Sequence, residues 1–396
     1  MELNRMMSYV VAANSCPLAA ISLGRPRAEA SCLCENSNLG CTEVERRALT
    51  RFKQSLTDPS NRLSSWKGKD CCKWSGVFCN ATTGHVIKLD LRVEDPSGST
   101  TSPNLLEGPK VNSSLLELKY LRYVDLSGNN FQGSRIPEFF GSLKPLRYLN
   151  LSNAEFTGLV PHHLGNLSTL RLLDLISTGD GLWATVAMDD FKWVSRLKSL
   201  QRLDLNGVSL SPAQNAIKVL SELPSILSLS LKTCGLNNIH LSHAYGNSTL
   251  SNVQYLDLSP NSFEGKLPNI FQNMTSLRVL DLASNSFNSS IPMCNAFGLE
   301  RLSLDHNEFS GHLPDWLGLF TGLKRLHLNY NSFNGPVPVS LLGRLSALTV
   351  LDLSDNQFSG VLTEAHFANL SMLKAIDTSR SSLTLQVRPT GYLPFN

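Results

Sequence analysis

The 396 residues contain no run of about 18 consecutive apolar side chains, so no segment has the composition of a membrane-crossing helix. They also lack a phosphate-cradling glycine loop with downstream kinase residues, a G-x-S-x-G nucleophile turn and an H-E-x-x-H metal helix. With those patterns unfilled, the expectation is a binding protein without catalytic residues, cofactor or metal. Charge imbalance is missing too: 35 Lys and Arg stand against 32 Asp and Glu, a formal net charge of +3 scattered along the chain. Without a basic stripe to neutralise a phosphate backbone, nucleic acid is not an expected partner. Cysteine is scarce over most of the length, for only Cys234 and Cys294 of the nine lie beyond residue 79. Cys16, Cys32, Cys34, Cys41, Cys71, Cys72 and Cys79 crowd the beginning, which predicts a local disulfide framework and an oxidising compartment.

What is abundant is leucine at a fixed period. The segments LRYVDLSGNNFQG from Leu121, VQYLDLSPNSFEG from Val253, LERLSLDHNEFSG from Leu299 and LTVLDLSDNQFSG from Leu348 share the pattern L-x-x-L-x-L-x-x-N-x-F. Its third leucine recurs at 126, 151, 175, 205, 231, 258, 282, 304, 328 and 353, a spacing of 22–30 residues. About twelve such units fill residues 86–385. In L-x-L the leucines point to one side of a short strand and the middle residue to the other, because strand side chains alternate. The Asn column at 129, 261, 285, 307, 331 and 356 stands where the chain leaves the strand, and a buried amide there satisfies main-chain groups of adjacent turns. Cys234 takes that slot once, as a buried structural thiol. Phe131, Phe156, Phe263, Phe287, Phe309, Phe333 and Phe358 form a second column behind the strands. Strands pack about 4.8 Å apart and the bulkier far side needs more room. The fold class that follows is an α/β repeat solenoid, an arc with a parallel β-sheet on its concave face.

This period, joined to G-x-[IVL]-P after the phenylalanine, resembles the plant-specific leucine-rich repeat. Ahead of it, Cys41-Thr-Glu-Val-Glu-Arg-Arg-Ala-Leu-Thr-Arg-Phe-Lys53, Leu63-Ser-Ser-Trp66 and Cys71-Cys72-Lys-Trp74-Ser-Gly76-Val-Phe-Cys79 resemble the N-terminal cap of plant receptor-like proteins and receptor kinases. The class for fungal effectors and xylanase is the most similar. The resemblance implies a cap over residues 41–80. Independently, a first repeat needs its apolar end covered, and Ala48, Leu49 and Phe52 sit at helical spacing to do it. A bridge between neighbours Cys71 and Cys72 would be strained, which leaves two pairings; the resemblance implies Cys41–Cys71 and Cys72–Cys79. Loop-closure entropy puts these at about 3.5 and 2.5 kcal/mol.

Residues 1–30 read as a weak secretory leader, with Arg5, the apolar stretch 9–23 and Ala28-Glu29-Ala30 in the required order. Sequons at Asn80, Asn112, Asn166, Asn247, Asn273, Asn288 and Asn369 agree with that route, and Asn150 would block part of the inner face if it carried a glycan. Residues 386–396 read as the start of a further repeat, so the expectation is a truncated ectodomain. By resemblance, the longer form is a single-pass plasma-membrane protein that recruits membrane receptor kinases as co-receptors in defence. The alternative is a secreted inhibitor of a cell-wall-degrading enzyme such as polygalacturonase.

A protein or peptide ligand, such as a microbial elicitor, is expected on the concave face. Arg122, Arg147, Arg171, Arg202, Arg278, Arg301, Lys324 and Arg325 precede the second strand leucine, and Asp125, Asp174, Asp204, Asp257, Asp281 and Asp352 follow it. Side by side, these columns are expected to neutralise one another. Specific contact is expected where they break, at Leu227, Ser228 and Ser230 and at His327, Asn329 and Tyr330. The candidate ligand residues are Tyr123, Tyr148, Arg202, Tyr255, Arg301, Arg325, His327 and Tyr330. His162-His163 reads as a surface pair. The over-long unit at 178–198, with Trp183, Phe191 and Trp193, reads as a local helix packing its aromatics inward.

Overall fold

The first described element is the helix Glu43–Gln54, whose ends explain where it starts and stops. Thr42 caps it: its hydroxyl accepts from Glu45 N, while the Glu45 carboxylate accepts from Thr42 N. Glu43 and Glu45 lie in the first turn and Arg51 and Lys53 in the last, each matched to the helix dipole. Ala48, Leu49 and Phe52 are fully buried. Glu45, itself buried, also accepts from Val86 N at 3.1 Å, so one carboxylate ties the helix start to the first sheet strands. Cys41 is bonded to Cys71 and Cys72 to Cys79. Trp66 stacks on Trp74 with ring centroids 5.3 Å apart.

The computed structural model describes residues 40–93, 104–177, 186–242, 250–291 and 295–386, all within the unit 39–396. The expected leader, Trp183, Asn247, Cys294 and nearly all of the expected extra repeat lie outside the described residues.

Strand Val77–Cys79 pairs antiparallel with Val86–Asp90 and opens a 13-stranded sheet. The other strands, from Tyr123–Asp125 through Ala375–Asp377, join parallel and in register, with the repeat's second leucine beside its counterpart: Leu89, Val124, Leu149, Leu173, Leu203 and onward. The chain is therefore a leucine-rich-repeat solenoid with one continuous core.

Two internal ladders hold the turns in place. Asn307 Nδ2 donates to the carbonyls of Leu282, Leu304 and Asp305 at 3.0–3.2 Å, and its Oδ1 accepts from Phe287 N. Asn331 and Asn356 repeat this arrangement one and two units later. Each amide thus bridges two repeats and satisfies main-chain groups at the bend. At Cys234 the thiol does the donating, to the Leu205 and Lys232 carbonyls at 3.2 and 3.3 Å. Behind the turns, Phe263, Phe287, Phe309, Phe333 and Phe358 stack at centroid distances of 5.9–6.0 Å. Leu210 and Leu236 occupy the column's slot between Phe156 and Phe263, and both are buried.

Next along the chain, the stretches at and after the phenylalanine slot pair as short strands, Ser310–Gly311, Ser332–Gly335, Gln357–Thr363 and Ser382–Gln386. Stacked one-turn helices such as Glu138–Ser142, His162–Asn166 and Lys192–Arg196 complete the layer behind the large sheet. In the long unit, Phe191 and Trp193 are buried around the last of these.

Candidate recognition surface on the concave sheet

Register places the candidate residues in columns. One step before the central leucine run Lys88, Tyr123, Tyr148, Leu172, Arg202, Ser228, Tyr255, Val279, Arg301, Arg325 and Val350. One step after it run Asp90, Asp125, Asn150, Asp174, Asp204, Ser230, Asp257, Asp281, Ser303, His327 and Asp352.

The acidic column does not face solvent as alternation alone implies. Asp125, Asp174, Asp204, Asp257 and Asp281 are buried. Each turns one oxygen back to the N–H two residues on, at Ser127, Ile176, Asn206, Ser259 and Ala283. Where that residue is serine, its hydroxyl donates to the same oxygen, at 2.6 Å for Ser127 and 2.7 Å for Ser259. The aspartates therefore cap the strand ends. Burial, with the neighbouring Asp204 carboxylate, pushes Asp174 up to about 7; burial also raises Asp204 and Asp281.

The neighbouring column then divides. Tyr123 and Tyr148 donate to the second Asp125 oxygen at 3.2 and 3.1 Å and stack face to face, centroids 3.9 Å apart. Lys88 covers the outer face of Tyr123 at 4.1 Å. Tyr255 donates to Asp257 at 3.0 Å. Burial raises the phenols, Tyr148 to about 12. Arg202 lies 3.5 Å from Asp204, and Arg301 donates to Asp281 at 3.1 Å and to Ser303. These five expected ligand residues are thus engaged within the sheet.

The mutual neutralisation expected of the charge columns holds only in part. Arg278 and Lys324 both bind Glu300, at 2.8 and 2.7 Å, rather than an aspartate. Arg122, Arg147 and Arg171 form no ion pair or side-chain hydrogen bond among the described residues. They stand two steps before the central leucine, whereas Arg202 and Arg301, one step before it, and Lys232, three steps after it, meet the aspartates.

The remaining three candidates fall together. Arg325 is exposed without an ion-pair partner among the described residues, and His327 takes the aspartate's place without a side-chain hydrogen bond there. Burial holds the His327 imidazole below its ordinary value. Two residues on, the buried Asn329 Oδ1 has no partner. Tyr330 projects beside them with 43% of its surface exposed, on a left-handed turn at φ 53°, and its ring stacks on His306 at 4.2 Å. In neighbouring repeats an aspartate and a serine fill these slots and satisfy each other, as Asp352 and Ser354 do at 2.7 Å. At the other expected break, Ser230 donates to Asn206 at 2.9 Å, while Leu227 stays exposed.

Of the sequons, Asn166 and Asn273 end one-turn helices behind the sheet and, like Asn288 and Asn369, are exposed. Asn80 and Asn112 are half-buried and accept main-chain hydrogen bonds. Asn150 lies on the concave face, where Ser152 donates to it at 2.7 Å. His162 and His163 stack 4.2 Å apart, with Glu138 at 3.7 Å from His163. No helix among the described residues is long and apolar enough to cross a membrane.

Comparison with known proteins agrees with this geometry. Residues 104–389 match the family described as leucine-rich repeat region, and 43–80 match the leucine rich repeat N-terminal domain. Receptor-like protein EIX1 of Solanum lycopersicum is 35% identical over 231 residues, covering 56% of this chain and 22% of that protein. Receptor-like protein 41 of Arabidopsis thaliana is 33% identical over 254 residues, covering 64% and 26%. The chain thus spans about a quarter of the length of these relatives. Among solved structures, the Arabidopsis receptor kinase HAESA ectodomain superposes with a TM-score of 0.54 at 24% identity, covering 85% of this chain and 65% of that one. By its repeats and its N-terminal domain the chain belongs to the leucine-rich-repeat family, and its curated relatives are plant receptor-like proteins.

Proposed function

We propose that this chain is the extracellular ligand-recognition portion of a plant receptor-like protein acting in defence, and that it binds a protein or peptide elicitor without catalysis. The observation that carries the reading is the break at Arg325, His327, Asn329 and Tyr330. There a sheet whose Tyr123, Tyr148, Tyr255, Arg202 and Arg301 are bound to its own acids leaves a cation, a neutral imidazole, an amide oxygen and an aromatic ring for an incoming molecule. A peptide offers what this set lacks: a carboxylate for the guanidinium and an N–H for the amide oxygen. The HAESA ectodomain is described in complex with a peptide hormone ligand, which supports the same use of the fold. In the longer form, membrane receptor kinases would serve as co-receptors.

The test immobilises the wild-type chain and its Arg325→Ala and Tyr330→Ala variants and measures binding of fractionated microbial secreted proteins and peptides. A ligand that loses about tenfold or more in affinity on either substitution fits the proposal. A ligand indifferent to both would move the site elsewhere. Stoichiometric inhibition of a polygalacturonase would favour the inhibitor reading instead.

A further inference from the structure

Arg122, Arg147 and Arg171 occupy consecutive rungs of the sheet. Arg147 N donates to Arg122 O and Arg171 N to Arg147 O, both at 2.8 Å, so their backbones are locked about one strand spacing, ~4.8 Å, apart. All three side chains are exposed, and none pairs with an acid among the described residues. Exposed Lys119 and Lys144 stand three residues upstream, in the turns leading into the first two of these strands. Later in the same column the pattern is opposite: Glu300 sits between Arg278 and Lys324 and binds both. A column that neutralises itself at one end and repeats bare guanidinium groups at the other carries an uncompensated linear charge.

We infer that this arginine run docks a linear acidic polysaccharide bearing one carboxylate on each sugar. The inference rests on the concave sheet being the recognition face and adds a second, separate ligand to it. One charge per unit favours the polymer. An extended peptide laid across the strands presents same-face side chains about 6.8 Å apart, out of step with rungs at about 4.8 Å, whereas a chain of uronic acids carries a charge on every unit. Guanidinium forks suit planar carboxylates. The patch also lacks the open aromatic pocket that anchors protein partners, because Tyr123 and Tyr148 cover each other and their hydroxyls are bound to Asp125.

The experiment titrates a fluorescent galacturonate oligomer into the whole chain at about 0.01 M ionic strength, where charges act over about 30 Å before salt screens them. Saturable binding is expected. The R122Q/R147Q/R171Q variant should bind about 3- to 100-fold more weakly, with a flatter salt dependence. Arg147→Gln alone, with an unchanged thermal midpoint, keeps the test valid should the triple variant misfold. Arg325→Ala should bind the oligomer as the wild type does. The inference is overturned if the wild type fails to bind, if the triple variant binds equally, or if a polyglutamate of matched charge binds as tightly, which would make the occupant an acidic peptide. Loss of uronate binding with elicitor binding intact would remove this inference and leave the receptor reading standing.

Discussion

Replacing Asp174 by asparagine should make the protein more stable at neutral and alkaline pH. Asp174 is 8% exposed and faces Asp204 on the adjacent strand. Burial and that neighbour raise its pKa to about 7, whereas an unfolded aspartate titrates near 3.9. Between those values the folded state holds a proton that the unfolded state has released, so stability falls as pH rises from about 4 to about 7. Three units at 1.36 kcal/mol each set a ceiling of about 4 kcal/mol for the penalty above pH 7. Asparagine keeps the oxygen that accepts from Ile176 N at 3.2 Å and carries no charge. Urea unfolding of wild type and Asp174→Asn at pH 5 and pH 8 measures the difference directly. His327 titrates with the opposite sign, since its lowered pKa costs stability as pH falls through about 6.5, but it is common to both proteins and cancels. The substitution should raise stability by about 0.7–1.5 kcal/mol at pH 5 and by about 2–4 kcal/mol at pH 8. A pH-independent difference, or a variant less stable at pH 8, would refute the account of the buried acid column.

Asn307→Ala should cost about 2–4 kcal/mol in urea unfolding, because it orphans the Phe287 N–H and the carbonyls that Asn307 bridges between repeats. A loss below about 1 kcal/mol would show that water replaces the amide. Glu45→Ala removes both the carboxylate that accepts from Thr42 N in the capping box and the acceptor of Val86 N. A loss of about 2–3 kcal/mol and faster amide exchange at Val86 are expected, and unchanged exchange would count against the tie between cap and sheet. The Cys234 thiol is fully buried and raised by desolvation, so iodoacetamide should label its tryptic peptide only after denaturation.

Most of the architecture was legible because a short period leaves few ways to bury leucine. L-x-x-L-x-L placed the strands, the Asn column placed the turns, and the capping helix showed in Ala48, Leu49 and Phe52. Side-chain reach was not legible. Alternation assigns Asp125 and Asp257 to the solvent side of a strand, yet Tyr123 and Tyr148 reach over Asp125, Tyr255 and Lys232 over Asp257, and each carboxylate bends back to its own turn. Which cations meet which acids depends on register. Arg171 and Arg202 look alike as arginines ahead of a leucine, but they differ by one position, and only Arg202 stands beside an aspartate.

Whether a group is already bound to its neighbour separates what is inert on the concave face from what is available. A polar group bound to its neighbour must break that bond before it can bind a ligand, so Tyr123, Tyr148, Tyr255, Arg202 and Arg301 begin with a cost. Groups without such a bond among the described residues carry no such cost, and two sets of them stand out. One is compact and mixed in chemistry, at Arg325, His327 and Asn329 beside the exposed Tyr330 ring, whose hydroxyl accepts from Arg380 at 3.4 Å, as selective recognition of a folded or peptide ligand requires. The other is linear and purely cationic, at Arg122, Arg147 and Arg171, where repetition itself is the signal. Five intervening strands, among them those with self-satisfied Asp204, Asp257 and Asp281, keep the two apart, so substitutions in one region should change its own ligand without altering the other.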